Sequence, residues 1–124
     1  TAYPPAVCAA SAAGIDLIAE GEALRVKLWE NARFVRDELR RMGFDTRDSQ
    51  APIIPVLLGS NEKALKAAAI LRDAGMYTPA IRPPTVPDGE SRLRLSITAL
   101  HKRDHLEQLL GAMRKAREIT DRSL

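Results

Sequence analysis

Apolar positions recur at helical spacing early in the chain. From Glu22 onward, Leu24, Leu28, Val35, Leu39 and Met42 fall on one stripe, with Arg25, Lys27, Arg33, Arg36 and Arg40 elsewhere. That is the 3.6-residue period of an amphipathic helix. Upstream, Ala6 to Ala19 is a small, apolar stretch interrupted by Gly14. Pro4 and Pro5 suit a helix start, where the missing amide donor is not needed. Residues 4–42 are therefore expected to be helical, with Glu20-Gly21 able to break or bend the run and Gly43 as its stop. A helix of that length in so small a chain would stand partly outside the core. It is expected to pack on something else.

After Gly43 the period changes. Phe44 to Thr46 could form a short strand. Ile53 to Leu58, bounded by Pro52 and Gly59, reads as a buried strand. Ser60-Asn61 can cap the helix that follows, whose Ala64, Ala67, Ala68 and Leu71 make a small-residue face suited to close packing on a sheet. Gly75 ends that helix, and Tyr77 to Arg82 reads as a short extended segment. Pro83, Pro84 and Pro87 make a stiff loop, and Asp88-Gly89 a turn. Ser91 to Thr98 alternates, with Leu93, Leu95 and Ile97 on one face and Arg92, Arg94 and Ser96 on the other. A last helix is expected from about Arg103 to Ile119, with Leu106, Leu109, Leu110 and Met113 inward. This order predicts an α+β fold: a small, mostly antiparallel sheet with helices packed on one face, preceded by a long N-terminal helix. Residues 1–42 are expected to be a connecting helical region and residues 43–124 a small C-terminal α+β domain.

Composition narrows the class. The 124 residues are 45% apolar and 28% charged, ordinary for a globular domain and unlike a disordered chain. Aromatics are only 4%, so aliphatic residues must fill the core. The net charge of +3 is spread among interspersed opposite charges, which is a solvated surface and not a footprint for nucleic acid. The one cysteine, Cys8, excludes an internal disulfide and a cysteine-based zinc site. In an Ala-rich helix it is expected to be a small buried apolar residue. No apolar run reaches the roughly 20 residues of a membrane span, and no secretory leader is evident. A reducing, cytoplasmic compartment is the expectation. The opening Thr1-Ala2-Tyr3-Pro4-Pro5 reads like a piece cut from something longer.

The chemistry concentrates in Ala80-Ile81-Arg82-Pro83-Pro84-Thr85-Val86-Pro87. Pro83 pushes Arg82 toward extended geometry, and three prolines remove backbone freedom. An arginine on such a loop is a pre-organised fork for a carboxylate or phosphate, with the Thr85 hydroxyl nearby. A solvated arginine on a Pro-rich surface loop fits the same residues. Arg92 and Arg94 could flank an anion, face water or pair with carboxylates. His101 and His105 stand four apart, but no third His or Cys ligand is near, so a role at the helix start is expected and not a metal site. Ser60 and Lys63 form an S-x-x-K string that capping explains.

Ala80 to Pro87, followed by Gly89, Arg92-Leu93-Arg94, Ala99 and His101, resembles the C-terminal part of the α-oxoamine synthases, fold type I pyridoxal 5′-phosphate (PLP) enzymes. The likeness covers essentially the whole chain. Tyr3-Pro4-Pro5-Ala6 is similar to the stretch just after the cofactor-lysine region of the large domain. Leu28-Trp29-Glu30-Asn31-Ala32-Arg33 is also similar to glycine C-acetyltransferase. That sister enzyme usually departs from Ile81-Arg82-Pro83-Pro84-Thr85, so the loop favours the branch that condenses L-alanine with a pimeloyl thioester, on coenzyme A or a carrier protein, with loss of CO2. The resemblance implies that Arg82 binds the amino-acid carboxylate and that Thr85 lies on the substrate-binding loop. It also implies PLP as an electron sink in the full-length enzyme and a homodimer. The Schiff-base lysine, the ring-stacking histidine and the aspartate facing the pyridine nitrogen belong to the large domain. Lys63 lacks the flanking pattern of that lysine. No cofactor and no catalytic residue are thus expected on this chain, which should be inactive alone. The alternatives are a fragment of glycine C-acetyltransferase and a non-catalytic binding module of the same fold.

Overall fold

The structure is a computed structural model that describes residues 2–121. It has four helices and a three-stranded antiparallel sheet, the α+β arrangement that the pattern predicts. The expected long helix is two helices, α1 (Pro5–Glu20) and α2 (Glu22–Arg41). They part at Gly21, where a Cβ would lie 2.5 Å from the Leu17 carbonyl oxygen. Only glycine permits that approach. The Arg25 guanidinium crosses the break to donate to the Ile18 carbonyl.

α1 has no buried residue. Cys8 is therefore exposed, not buried as its apolar neighbours suggest, because nothing among the described residues packs on its helix. α2 changes character along its length. Leu24 is exposed and Leu28 half-buried, whereas Ala32, Val35 and Leu39 are fully buried. The second half of α2 thus enters the same core as the segments after residue 43.

α2 ends as its glycine foretells. Gly43, at φ +80°, lets its own N–H reach the Arg40 carbonyl and the Phe44 N–H reach that of Leu39. This reciprocal pair satisfies two otherwise orphaned carbonyls. α3 (Asn61–Asp73) starts on Ser60, whose Oγ accepts from the Lys63 N–H, and stops at Gly75 through the same motif. Ala64, Ala67, Ala68 and Leu71 are all buried. α4 (Arg103–Asp121) buries Leu106, Leu109, Leu110 and Met113.

The sheet runs β1 (Ile53–Gly59), β3 (Ser91–Ser96), β2 (Ala80–Ile81) in spatial order. Ile54 pairs with Leu95, and Val56 and Ala80 with Leu93. With Ile97 just beyond β3, these side chains meet the helices in one cluster. Two extended segments are shorter than predicted. Phe44 to Thr46 contributes only an isolated bridge, Asp45 to Leu57. Of Tyr77 to Arg82 only Ala80 and Ile81 pair. Pro79 still accepts from the Arg94 N–H, but Pro83 cannot donate to a ladder. Because strand residues alternate, the opposite sheet face carries Pro55, Leu57, Ile81, Arg92, Arg94 and Ser96. None of these six is buried: Arg94 and Ser96 are exposed and the other four half-buried.

Candidate substrate-binding face

The uncovered face and the β2–β3 loop belong together. β2 and β3 are adjacent antiparallel strands, so residues 82–90 form the loop of a hairpin. The loop closes in two turns. The Thr85 N–H donates to the Arg82 carbonyl at 3.0 Å across the cis Pro83–Pro84 bond. The Glu90 N–H then donates to the Pro87 carbonyl at 3.1 Å. Arg82 and Thr85 are both exposed. The first turn brings these two sequence-predicted residues to the two ends of one backbone hydrogen bond.

The arginines of this corner divide by partner. Arg92 Nη2 donates to Glu90 Oε2 at 2.6 Å and its Nε to the Glu90 carbonyl at 2.9 Å. Arg47 approaches the other Glu90 oxygen at 3.8 Å. Arg92 is thereby engaged by a loop carboxylate. Arg82 and Arg94 make no side-chain hydrogen bond or ion pair among the described residues. Arg94 stands between Pro55 of β1 and the Pro79 carbonyl, about 7 Å along the strand from Arg92. A guanidinium with no internal partner keeps its planar fork for an incoming carboxylate or phosphate. Sequence alone ranks Arg94 no higher than Arg92; only the Glu90 contact separates them.

His101 takes the role expected at the start of α4. Its Nδ1 accepts from the Thr98 N–H at 3.1 Å, and His105 Nδ1 accepts from the Lys102 N–H at 3.4 Å. Both rings line a cleft of about 320 Å³ with Met76, Tyr77, Leu95 and Ile97. No group of three or more metal-ligating residues occurs among the described residues. A contact missed by sequence reading is Asn31 of α2. Its Nδ2 donates to both the Thr98 and His101 carbonyls at 3.0 Å and ties α2 to the end of the arginine-bearing strand.

The family follows from comparison with known proteins. Residues 1–113 match the aminotransferase class I and II family. The chain belongs to that family. The 8-amino-7-oxononanoate synthase of Geobacter sulfurreducens is 44% identical over 115 residues, covering 91% of this chain and 29% of its own length. That of Thermoanaerobacter pseudethanolicus is 41% identical over 115 residues, covering 93% and 29%. Sphingomonas wittichii serine palmitoyltransferase superposes with a TM-score of 0.90 at 34% identity, over 98% of this chain and 31% of that one. Related serine palmitoyltransferase structures carry PLP. The chain is therefore similar to α-oxoamine synthases of the fold type I PLP class, and it spans about three-tenths of the length of the curated relatives it matches.

Among the described residues, the lysine-lined cleft does not fit PLP. A PLP cradle needs a lysine amine, a carboxylate for the pyridine nitrogen and donors for the phosphate, all converging. Lys63 and Lys66 line a cleft with Gly59, Ser60, Glu62 and Thr120 that contains no ring to stack on. It lies at the start of α3, on the helical side of the sheet, away from Arg94.

Proposed function

We propose that the chain is the C-terminal part of an 8-amino-7-oxononanoate synthase, an enzyme that condenses L-alanine with a pimeloyl thioester and releases CO2. The observation that carries this reading is the proline-stiffened hairpin. It presents Arg82 without an internal partner, beside a strand on which Glu90 neutralises Arg92 and leaves Arg94 open. The relatives of that name at 41–44% identity support the same reading.

On this reading Arg82 receives the alanine carboxylate and Thr85 flanks it on the same turn. Arg94, on the adjoining face, is a second fork for the same anion. Residues 1–42 connect to a large domain and residues 43–124 form the small domain, with the second half of α2 packed onto it. The cofactor lysine and the rest of the PLP site come from polypeptide beyond these residues, so the chain alone is inactive. The working enzyme is a cytoplasmic homodimer. No helix among the described residues is long and apolar enough to cross a membrane.

The test is steady-state kinetics of the full-length polypeptide with alanine and pimeloyl-CoA, comparing wild type with Arg82→Ala, Arg82→Lys and Arg94→Ala. A charge-assisted arginine–carboxylate contact is worth roughly 1.5–3 kcal/mol, so losing it lowers kcat/KM for alanine by about one to two orders of magnitude. Arg82→Lys recovers only part, since an ammonium lacks the planar fork. Melting temperatures stay near wild type, because both side chains are exposed and unpaired. Intact alanine kinetics in Arg82→Ala, with loss in Arg94→Ala, would move the carboxylate site to Arg94. Intact kinetics in both would remove it from this face. Turnover of glycine with acetyl-CoA in place of alanine with pimeloyl-CoA would refute the reaction.

A further inference from the structure

A cleft of about 320 Å³ opens between α4, the end of β3 and residues 75–78. The shortness of β2 accounts for the space. Pro79 accepts from the Arg94 N–H but has no N–H to give back, and the residues before it do not pair with β3. Met76, Leu95, Ile97, Leu106 and Leu109 form apolar walls. Tyr77, 83% exposed, stands at the rim. The volume falls within the range of about 300–1,000 Å³ typical of small-molecule sites.

The polar groups of the cleft share one character. Thr78 lines it and is only 7% exposed, yet its hydroxyl has no hydrogen-bond partner among the described residues. A hydroxyl withdrawn from water without a partner carries a desolvation cost. His101 and His105 line the cleft as well. Each turns Nδ1 to a backbone N–H, that of Thr98 at 3.1 Å and that of Lys102 at 3.4 Å. An Nδ1 that accepts leaves Nε2 as the nitrogen that carries the proton. Two imidazole N–H groups and one hydroxyl are thus available as donors. Gln108 spends its amide N–H on the Ala74 carbonyl. Among the described residues, no Asp, Glu, Lys or Arg lines the cleft.

We infer that this cleft binds a medium-chain aliphatic carboxylate. The head accepts from the Thr78 hydroxyl and the imidazole N–H groups, and the chain lies along the apolar walls. The donor set chooses this ligand. An ionised carboxylate only accepts, and no carboxylate of the cleft repels it. A free phosphate brings no apolar surface for the walls and meets no cation there. A metal ion needs an imidazole lone pair, and here Nδ1 is engaged by the backbone and Nε2 by its proton. At about 30 Å³ each, the cleft has room for about ten non-hydrogen atoms, the size of octanoate. The site uses none of Arg82, Thr85 and Arg94, so the inference stands apart from the proposed reaction.

The experiment is photo-crosslinking of the full-length polypeptide with a diazirine-bearing octanoate, mapped by peptide mass spectrometry. Octanoate, octan-1-ol and inorganic phosphate serve as competitors, and wild type is compared with Thr78→Val and Arg82→Ala. Saturable labelling falls on residues 75–78 and 95–109. Octanoate removes it, whereas octan-1-ol and phosphate at the same concentration do not. Thr78→Val raises the octanoate concentration for half-competition by about tenfold or more, as expected for loss of a hydrogen bond to a charged group. That variant removes no bond among the described residues, so it melts with wild type and misfolding does not obscure the result. Arg82→Ala labels these residues as wild type does, whatever it does to turnover. Labelling that falls only outside residues 75–78 and 95–109 overturns the inference. An unchanged half-competition in Thr78→Val does the same. Equal competition by octan-1-ol overturns it in favour of an apolar groove without a carboxylate site, and equal competition by phosphate in favour of a simple anion site.

Discussion

Removing the Asn31 amide should loosen the junction between α2 and the start of α4. Asn31 is 4% exposed, and its Nδ2 spans two carbonyls that lie 67 and 70 residues away, each at 3.0 Å. The turn it clasps is held otherwise by the Thr98 N–H to His101 Nδ1 bond and a long 3.4 Å backbone bond from the His101 N–H to the Thr98 carbonyl. Asn31→Ala deletes two neutral hydrogen bonds, each worth about 0.5–1.5 kcal/mol net. Thr98 is exposed and His101 half-buried, so water repairs part of the loss. The net cost is about 2 kcal/mol. At about 4 °C per kcal/mol for a chain of this size, the melting temperature falls by about 8 °C. Asn31→Asp is worse at neutral pH, because it turns a carboxylate toward two carbonyl oxygens. Those oxygens and the burial raise the folded-state pKa of the new acid above its unfolded value of about 3.9. The folded state then binds the extra proton, so the deficit of Asn31→Asp relative to wild type shrinks as pH falls from the raised value toward 3.9. Thermal melts followed by circular dichroism at pH 7 and pH 5 measure both effects. If Asn31→Ala melts within about 2 °C of wild type, or Asn31→Asp is no worse than Ala at pH 7, the clasp is not a source of stability.

Two further outcomes follow from the same geometry. Gly43→Ala and Gly75→Ala both place a Cβ at φ near +80°, but only at Gly43 does that atom meet the Arg117 guanidinium, at 2.5 Å; urea denaturation should show about 1–2 kcal/mol lost at Gly75 and more at Gly43, and equal losses would mean that Arg117 moves aside freely. Incubating the 124-residue chain with PLP, dialysing and reducing with borohydride should leave no stoichiometric adduct, whereas an adduct mapped to Lys63 would contradict a cofactor site built elsewhere.

The faces of the sheet and helices were legible because each period has one consequence. Leu93, Leu95 and Ile97 alternate and are buried; Ala64, Ala67, Ala68 and Leu71 recur at helical spacing and are buried. Capping residues were legible too, since Ser60, Gly43 and Gly75 each solve a local backbone problem. On α1 and the first half of α2 the length of the run already placed part of the helix outside the core, but not which residues. An apolar stripe says which face wants cover and not whether the cover is present, so Cys8 and Leu24 read as inward and are exposed. The break at Gly21 was legible as one the Glu20-Gly21 pair could make, and the close approach of Gly21 to the Leu17 carbonyl is what makes it a division into two helices. The Asn31 clasp was invisible because its partners are backbone atoms some 70 residues away. Arg82 and Thr85 came from the loop string, but the pattern could not separate Arg92 from Arg94. They are equivalent by alternation and differ only in what Glu90 reaches.

Glu90 decides how the corner meets an anion. A free carboxylate beside the loop would repel a substrate carboxylate and compete for the arginines around it. Held at 2.6 Å by Arg92 and at 3.8 Å by Arg47, Glu90 has its charge spread over two cations. The local balance therefore stays positive, and the two guanidiniums without partners lie to either side of the engaged one: Arg82 on the turn and Arg94 along the strand. An exposed ion pair contributes little to stability, so the network is better understood through the charges it leaves uncommitted. The hydrogen-bonded turn and three prolines fix where Arg82 begins, and the central strand fixes Arg94. If the carboxylate site lies here as proposed, the backbones of Arg82 and Arg94 are already placed, and the ordering cost of binding falls mainly on the side chains.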